Sequence, residues 1–307
     1  MWMNIRMKKF AGYLWRDRYI YLLLLPGVIF LIIFNYIPMY GITLAFKKYM
    51  VSDGILGSPW IGFVNFEKLF RLPDFWRAFF NTIIISLQRL VFEFPVSIIL
   101  ALLLNEVRNI FAKRFMQTVF TFPHFLSWIV VTGITINLLA DNGLINVILV
   151  TLGHEKQSLL STPSFFRALL YITSNWKGAG WVAIIYLASI TSINNELYEA
   201  AVIDGANRFK QTLYVTWPGI RSTVAIMFIL AIGNTMNAGF DQIFNMYNAA
   251  VYSVADIMET YIYRRAFSTG SDFGAATAVT LFRAIINFTL LISANWIIRI
   301  FGEEGLF

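Results

Sequence analysis

Cysteine is absent from the 307-residue chain. That excludes a disulfide framework, thiolate metal sites and thiol nucleophiles. Histidine is almost absent too: His124 and His154 are the only imidazoles and lie far apart in sequence. Charge is scarce, with charged residues at 13% of the chain, against about 25% in soluble domains. Hydrophobic residues fill the space instead, at 58%, where soluble domains carry roughly 45–50%. A globule of this size cannot hide so much apolar surface, so lipid is the solvent for most of the chain. Aromatic residues at 17% exclude disorder. The net charge of +7 reads first as positive-inside bias rather than as a nucleic-acid signature.

A basic arm, residues 1–18, carries Arg6, Lys8, Lys9, Arg16 and Arg18 against Asp17. The apolar run behind it, residues 19–46, is too long for a signal-peptide core and lacks a small-residue cleavage site. It reads as a first transmembrane helix. Further apolar stretches lie near residues 76–104, 117–140, 164–193, 220–240 and 273–298. Each meets the requirement of about 20 mostly apolar residues. Continuous runs rather than alternating short strands decide for helices over a barrel. The expectation is an all-α polytopic membrane protein with six transmembrane helices in a single domain, residues 19–307.

Lys and Arg set the orientation. The arm, then Arg108, Lys113 and Arg114, then Arg208, Lys210 and Arg221, and finally Arg299 all fall on one side. The opposite loops hold fewer, spread over longer segments: Lys47, Lys48, Lys68, Arg71, Lys156, Arg264 and Arg265. The richer side is cytoplasmic, which puts both termini inside. Lys47 and Lys48 read as interfacial anchors, and Ala255 to Phe267 as a helix in an outer loop.

The inside segment 194–219 is the most informative. Asn195 can N-cap a short helix with acids in its first turn. Gly205 can take the left-handed conformation that ends it. Asn207 can cap a second helix, and Pro218 then breaks or redirects the chain. Leu197, Ala200, Ala201 and Asp204 share one face, where alanines permit close approach of another surface. On local physics alone this is either a docking element or an ordinary amphipathic loop.

Glu199-Ala200-Ala201, then Gly205, then a run ending in Trp217-Pro218, resembles the EAA loop of binding-protein-dependent ABC importer permeases. The family commonly has Leu where Trp217 stands. Tyr36 to Gly41, Asn105 to Arg108, Pro123 to Trp128, Tyr252 to Ile257 and Gly302 to Phe307 are similar to the LplB-like branch, which is associated with uptake of oligosaccharides and polysaccharide fragments. The resemblance implies the type I ABC importer architecture, with a second homologous permease, two cytoplasmic ATPase subunits and an extracellular solute-binding protein as partners. It implies that Glu199, Ala200, Ala201, Asp204, Gly205 and Pro218 belong to a coupling element seated on the ATPase. ATP and Mg would be bound by the ATPase subunits. This chain, with no G-x-x-x-x-G-K-[ST] phosphate loop, would bind no cofactor and no nucleic acid, and would be no enzyme.

Polar groups inside the spans are the candidate solute path. Arg89 and Glu93, four apart, either neutralise each other or line a hydrated cavity. Trp176 and Lys177 either contact sugar or form an interfacial aromatic and a snorkelling cation. Asn234 and Asn237, three apart, either hydrogen-bond solute or tie helices together. Arg283 takes a partner inside the bundle or meets solute, and Thr132, Thr135 and Asn137 carry the same ambiguity. His124 beside Pro123 reads as a turn or cap, since no metal-ligand cluster accompanies it. A stand-alone secondary transporter or channel is the alternative. No paired, interrupted segments indicate inverted repeats, no selectivity-filter sequence is visible, and an intramembrane catalytic constellation is lacking as well.

Overall fold

The computed structural model describes residues 15–268, 272–300 and 302. Arg6, Lys8 and Lys9 of the basic arm and residues 303–307 fall outside them. Helix α1 (Arg18–Leu31) continues through a π-helical turn (Ile32–Tyr36) and a 3-10 segment (Ile37–Phe46) as one run. Pro26 and Pro38 interrupt its backbone donors. None of the α1 residues is buried.

The chain then makes a single antiparallel bridge, Lys47 to Trp60. Lys47 is only 2% exposed, its Nζ donating to the carbonyls of Ile55 (2.8 Å) and Leu56 (3.2 Å) and lying 5.0 Å from the Trp60 ring centroid. It braces the loop after the first helical run and is not the interfacial anchor that the sequence led us to expect. The carbonyls of that loop satisfy an ammonium that lipid headgroups would otherwise have met.

After α2 (Val64–Phe70), helices α3 (Pro73–Phe92) and α4 (Phe94–Glu106) form one long run. The run is offset at Glu93, where Pro95 cannot donate to the preceding turn. Next come α5 (Ile110–Thr121), α6 (Trp128–Leu139) and α7 (Leu144–Thr151). The expected span 117–140 is therefore not one helix. A 3-10 turn at Phe122–Phe125, holding Pro123, ends α5. Ser127 then starts α6 by accepting from the Val130 amide at 3.3 Å. The apolar run of spanning length is Trp128–Thr151.

Helix α8 (Pro163–Thr191) is 29 residues long. Beyond it lie α9 (Asn195–Ile203), α10 (Arg208–Gln211), α11 (Trp217–Gly233), α12 (Phe240–Met246), α13 (Met258–Tyr263) and α14 (Phe273–Ile300). The fifth expected span, 220–240, ends early. After α11 comes a 3-10 turn, Thr235–Asn237, and then left-handed Ala238 (φ 41°) and Gly239.

Among the described residues, five helical runs are long and apolar enough to cross a membrane: Arg18–Phe46, Pro73–Glu106, Trp128–Thr151, Arg208–Gly233 and Phe273–Ile300. α8 has the length but not the hydropathy, because Arg167, Ser174, Asn175 and Lys177 interrupt it. It is instead the best-packed long helix. Ala183, Tyr186, Leu187 and Ile190 of α8 meet Ile98, Ala101 and Leu104 of α4 and Ile220 of α11. Ser189 and Thr223 share a hydrogen bond of 2.9 Å between α8 and α11. Toward its other end, Phe166, Leu169, Leu170 and Tyr171 pack with Ile85, Ile243 and Val251.

Where lipid removes the hydrophobic drive between helices, small residues and close packing hold them together. Gly180 shows the tolerance: a Cβ there would meet the Phe120 carbonyl oxygen at 2.1 Å and the Thr121 amide nitrogen at 2.9 Å. At Gly178 a Cβ would meet nothing within 4 Å. Gly180→Ala should push the end of α5 off α8 and destabilise the protein by about 3 kcal/mol, the upper end of the usual overpacking range, because the obstruction is backbone. Gly178→Ala should be neutral, and thermal unfolding of the detergent-solubilised protein compares the two.

Candidate functional site

Helix α9 is capped by Asn194, one residue before the expected cap. Asn194 keeps an extended backbone, and its Oδ1 accepts from the Glu196 amide at 3.0 Å. Gly205, at φ +76°, ends the helix. The Ala206 amide donates to Ala201 O (2.8 Å) and the Gly205 amide to Val202 O (3.0 Å), the paired bonds of a Schellman cap. Asn207 Oδ1 accepts from the Lys210 amide at 2.9 Å.

Pro218 does not break the chain. The helical run Arg208–Gly233 is continuous, because Pro218 sits in the first turn of α11 after a wider π-helical turn, Thr212–Thr216. A first turn needs no donor from proline. α9 has no buried residue, and Glu199, Ala200, Asp204 and Gly205 are exposed. So are Leu197, Val202 and Ile203, the last at 86%. Yet α9 is tied to the long run behind it. Tyr198 Oη and Thr216 Oγ1 are 2.9 Å apart, and Gln211 Nε2 donates to Ala206 O at 2.9 Å. An exposed face on a tethered element can receive another protein and pass its displacement to α11.

A second feature is a cavity of about 490 Å³ between α3, α8 and α11, lined by Arg89, Glu93, Asn175, Tyr186, Asn234 and Asn237 among others. Arg89 Nη1 lies 3.3 Å from Glu93 Oε1 and donates to Ser174 Oγ at 3.1 Å. Ser174 Oγ donates in turn to Glu93 Oε2 at 2.9 Å. Arg89 Nη2 donates to Gln242 Oε1, and Gln242 Nε2 donates to Leu170 O (2.8 Å) and Thr173 Oγ1 (2.7 Å). Spacing on one helix gives the ion pair; Ser174 and Gln242 arrive from other elements and carry no sequence signal. Arg89 Nε, Glu93 Oε1, Asn175 Oδ1 and Tyr186 Oη are buried without a hydrogen-bond partner. Unmet buried polar atoms are costly, and all four belong to residues that line this cavity.

Asn234 and Asn237 reach this cavity from the break after α11, not from one face of a continuous helix. Asn237 Nδ2 donates to Asn234 Oδ1 at 3.1 Å. The remaining path candidates lie elsewhere. Lys177 Nζ donates to the His124 carbonyl at 2.6 Å and sits 5.6 Å from the Trp128 ring centroid. The His124 ring stacks on Trp181, with centroids 4.5 Å apart. Trp176 is 49% exposed and lines neither cavity. Arg283 pairs with Glu259, joining α14 to α13; spacing along the chain could not select that acid.

A further cavity, of about 610 Å³, lies between α3 and the first half of α8. Gln88, Phe92, Arg167, Tyr171 and Asn175 line it. Asn175 is common to both cavities. The sequence reading passed over Arg167, since a cation in the second turn of a long helix looks like a span end. Among the described residues no group of three or more His, Cys, Asp or Glu could hold a metal ion.

Residues 93–303 match the model of the family described as binding-protein-dependent transport system inner membrane component. The chain is 43% identical to Protein LplB of Bacillus subtilis (strain 168), over 95% of this chain and 92% of that protein. It is 42% identical to the polygalacturonan/rhamnogalacturonan transport system permease protein YteP of the same organism, over 95% and 91%. It also shares its fold with the crystal structure of a bacterial ABC transporter involved in the import of the acidic polysaccharide alginate. That match has a TM-score of 0.89 and 36% identity, and covers 95% of this chain and 98% of the other. A second structure of the alginate transporter, in complex with an alginate pentasaccharide-bound periplasmic protein, matches with a TM-score of 0.89 at 35% identity, over 96% and 99%. The helical fold is thus that of a type I ABC importer permease, and the chain belongs to the binding-protein-dependent transport system inner membrane components, the membrane permeases of ABC importers.

Proposed function

We propose that this chain is the permease subunit of an ATP-driven importer and forms part of the path for an oligosaccharide or polysaccharide fragment. The observation that carries the reading is the cavity at Arg89 and Glu93, whose lining offers partnerless buried polar atoms beside apolar walls. Such a mixture suits a solute rich in hydroxyls. The polygalacturonan/rhamnogalacturonan transport system to which YteP belongs, and the import of alginate by the matching transporter, support it.

In this reading α8 is the fourth of six spans, its polar residues turned to the path and to its neighbours rather than to lipid. The protein sits multi-pass in a bacterial cell membrane, with both termini and α9 on the cytoplasmic side, as the Lys and Arg distribution favours. A second homologous permease completes the path, and an extracellular solute-binding protein delivers the sugar. Two ATPase subunits bind ATP and Mg and receive Glu199, Ala200, Ala201, Asp204 and Gly205 in a groove. ATP favours one arrangement of the pair and nucleotide release the other, so the cavity changes the side to which it opens. The tether from Tyr198 to Thr216 carries the motion of α9 into the helical run Arg208–Gly233.

Gly205→Asp puts a side chain where φ is +76° and should uncouple transport from ATP hydrolysis while the membrane complex still assembles. Normal ATP-driven uptake by the assembled variant in proteoliposomes would remove α9 from the coupling role. Within the path, Asn234→Ala should lower sugar uptake severalfold, on the scale of one or two lost hydrogen bonds at about 1 kcal/mol each. Trp176→Ala, outside both cavities, should leave it unchanged. Paired uptake assays on the two variants, with ATPase docking verified by co-purification, separate these outcomes.

A further inference from the structure

The two cavities differ in charge. The inner one holds Arg89 compensated by Glu93. The outer one is lined by no Asp or Glu, and Arg167 is its one charged lining residue. Arg167 Nε donates to Val254 O at 3.1 Å, and its Nη2 to Asn81 Oδ1 at 2.8 Å. Both acceptors are neutral, and among the described residues Arg167 enters no ion pair. Bracing a loop carbonyl and an amide oxygen needs only N–H donors, which a neutral side chain also supplies. An uncompensated cation in a membrane helix bundle is expensive, and such groups mark ion or substrate paths. By contrast Arg264, in the outer loop, is paired with buried Asp256 at 2.6 Å.

The residues that line the cavity with Arg167 specify the ligand. Phe92 and Tyr171 line the same cavity as a stacked pair, with ring centroids 5.7 Å apart and planes 24° from parallel. Tyr171 Oη donates to Gln88 Oε1 at 2.5 Å, which fixes that ring. Aromatic faces cover the C–H face of a pyranose, while the Gln88 and Asn175 amides suit its hydroxyls. A guanidinium matches a carboxylate in two-point geometry. Carboxylate, apolar ring face and hydroxyls together describe a uronic-acid residue.

We propose that the outer cavity is a subsite for a uronic-acid residue of the incoming oligosaccharide, with Arg167 receiving its carboxylate and the Phe92–Tyr171 pair its ring. This rests on the reading of the chain as an oligosaccharide permease and narrows it to acidic oligomers. Asn175, shared by both cavities and with Oδ1 unpartnered, passes the sugar chain from the cationic outer cavity to the charge-balanced inner one.

The test uses the complex of both permeases and the ATPases, solubilised without its binding protein, with trigalacturonate and its carboxyl-reduced, neutral counterpart as probes. The wild-type complex should bind trigalacturonate more tightly, and Arg167→Gln should weaken that binding roughly tenfold, the scale of a lost charge-assisted hydrogen bond, without changing the neutral trimer. Arg167→Lys should restore part of the loss. Ser164→Asp is the control for folding. Ser164 is exposed, lines the outer cavity and lies three residues before Arg167 in the first turn of α8. An acid there pairs with Arg167 and is favoured by the helix dipole. It should reproduce the selective loss without touching the hydrogen bonds of Arg167. Equal affinity of the wild type for the two trimers, no binding of either, or equal losses for both in Arg167→Gln and Ser164→Asp would overturn the subsite. ATP-dependent uptake by the complete transporter separates this failure from that of the broader reading. Uptake without preference for acid sinks only the subsite, whereas no uptake of any oligosaccharide sinks the permease reading and the subsite with it.

Discussion

A guanidinium largely withdrawn from solvent must be answered on several sides at once, and Arg89 organises this fold around that requirement. Glu93 answers from the same helix, Ser174 from α8 and Gln242 from α12. Gln242 in turn fastens to Leu170 O and Thr173 Oγ1 of α8. One charge thereby holds three helices that lipid-facing apolar contacts alone would let slide, because between helices in a bilayer there is no hydrophobic drive. The same requirement sets the break after α11. A continuous helix would carry the chain straight on, whereas the left-handed residues Ala238 and Gly239 turn α12 back so that Gln242 meets Arg89.

The polar requirement also explains why α8 is the densest helix and the least lipid-like. Its polar residues point into protein or cavity: Ser174 to Glu93, Asn175 to the Phe92 carbonyl and Lys177 to the His124 carbonyl. Its small residues let neighbours approach, most closely where Gly180 meets the α5 backbone. A helix so enclosed can carry side chains that hydrocarbon would reject. The short helix α9 shows the opposite design: mostly exposed, capped at both ends, and joined to the long α10–α11 run through Tyr198 and Gln211.

Several features were legible in the sequence because the physics behind them is local. The apolar runs, the Gly205 stop, the Asn207 cap and the Arg89–Glu93 pair each depend on spacing within one segment. The EAA-like string gave the family. Other readings failed where distant elements decide. Pro218 stayed within a helical run because a π-helical turn precedes it. Lys47 was buried by loop carbonyls. Asn234 and Asn237 fell into a break rather than on one helix face, whereas Arg283 took a partner within the protein as expected, though spacing along the chain could not name Glu259.

By itself the sequence determined that the chain lives in lipid, that it is helical, which end of it is most basic and where the capped helix between Asn194 and Gly205 lies. These follow from composition, charge counts and short-range capping, all additive along a chain. Only the tertiary structure decided which charges are spent on one another and which are left over. Glu93 compensates Arg89 and Glu259 compensates Arg283, while among the described residues Arg167 donates to the neutral acceptors Val254 O and Asn81 Oδ1 and enters no ion pair. Compensation is a matter of a few ångströms between residues far apart in sequence, and no pattern along the chain contains that distance.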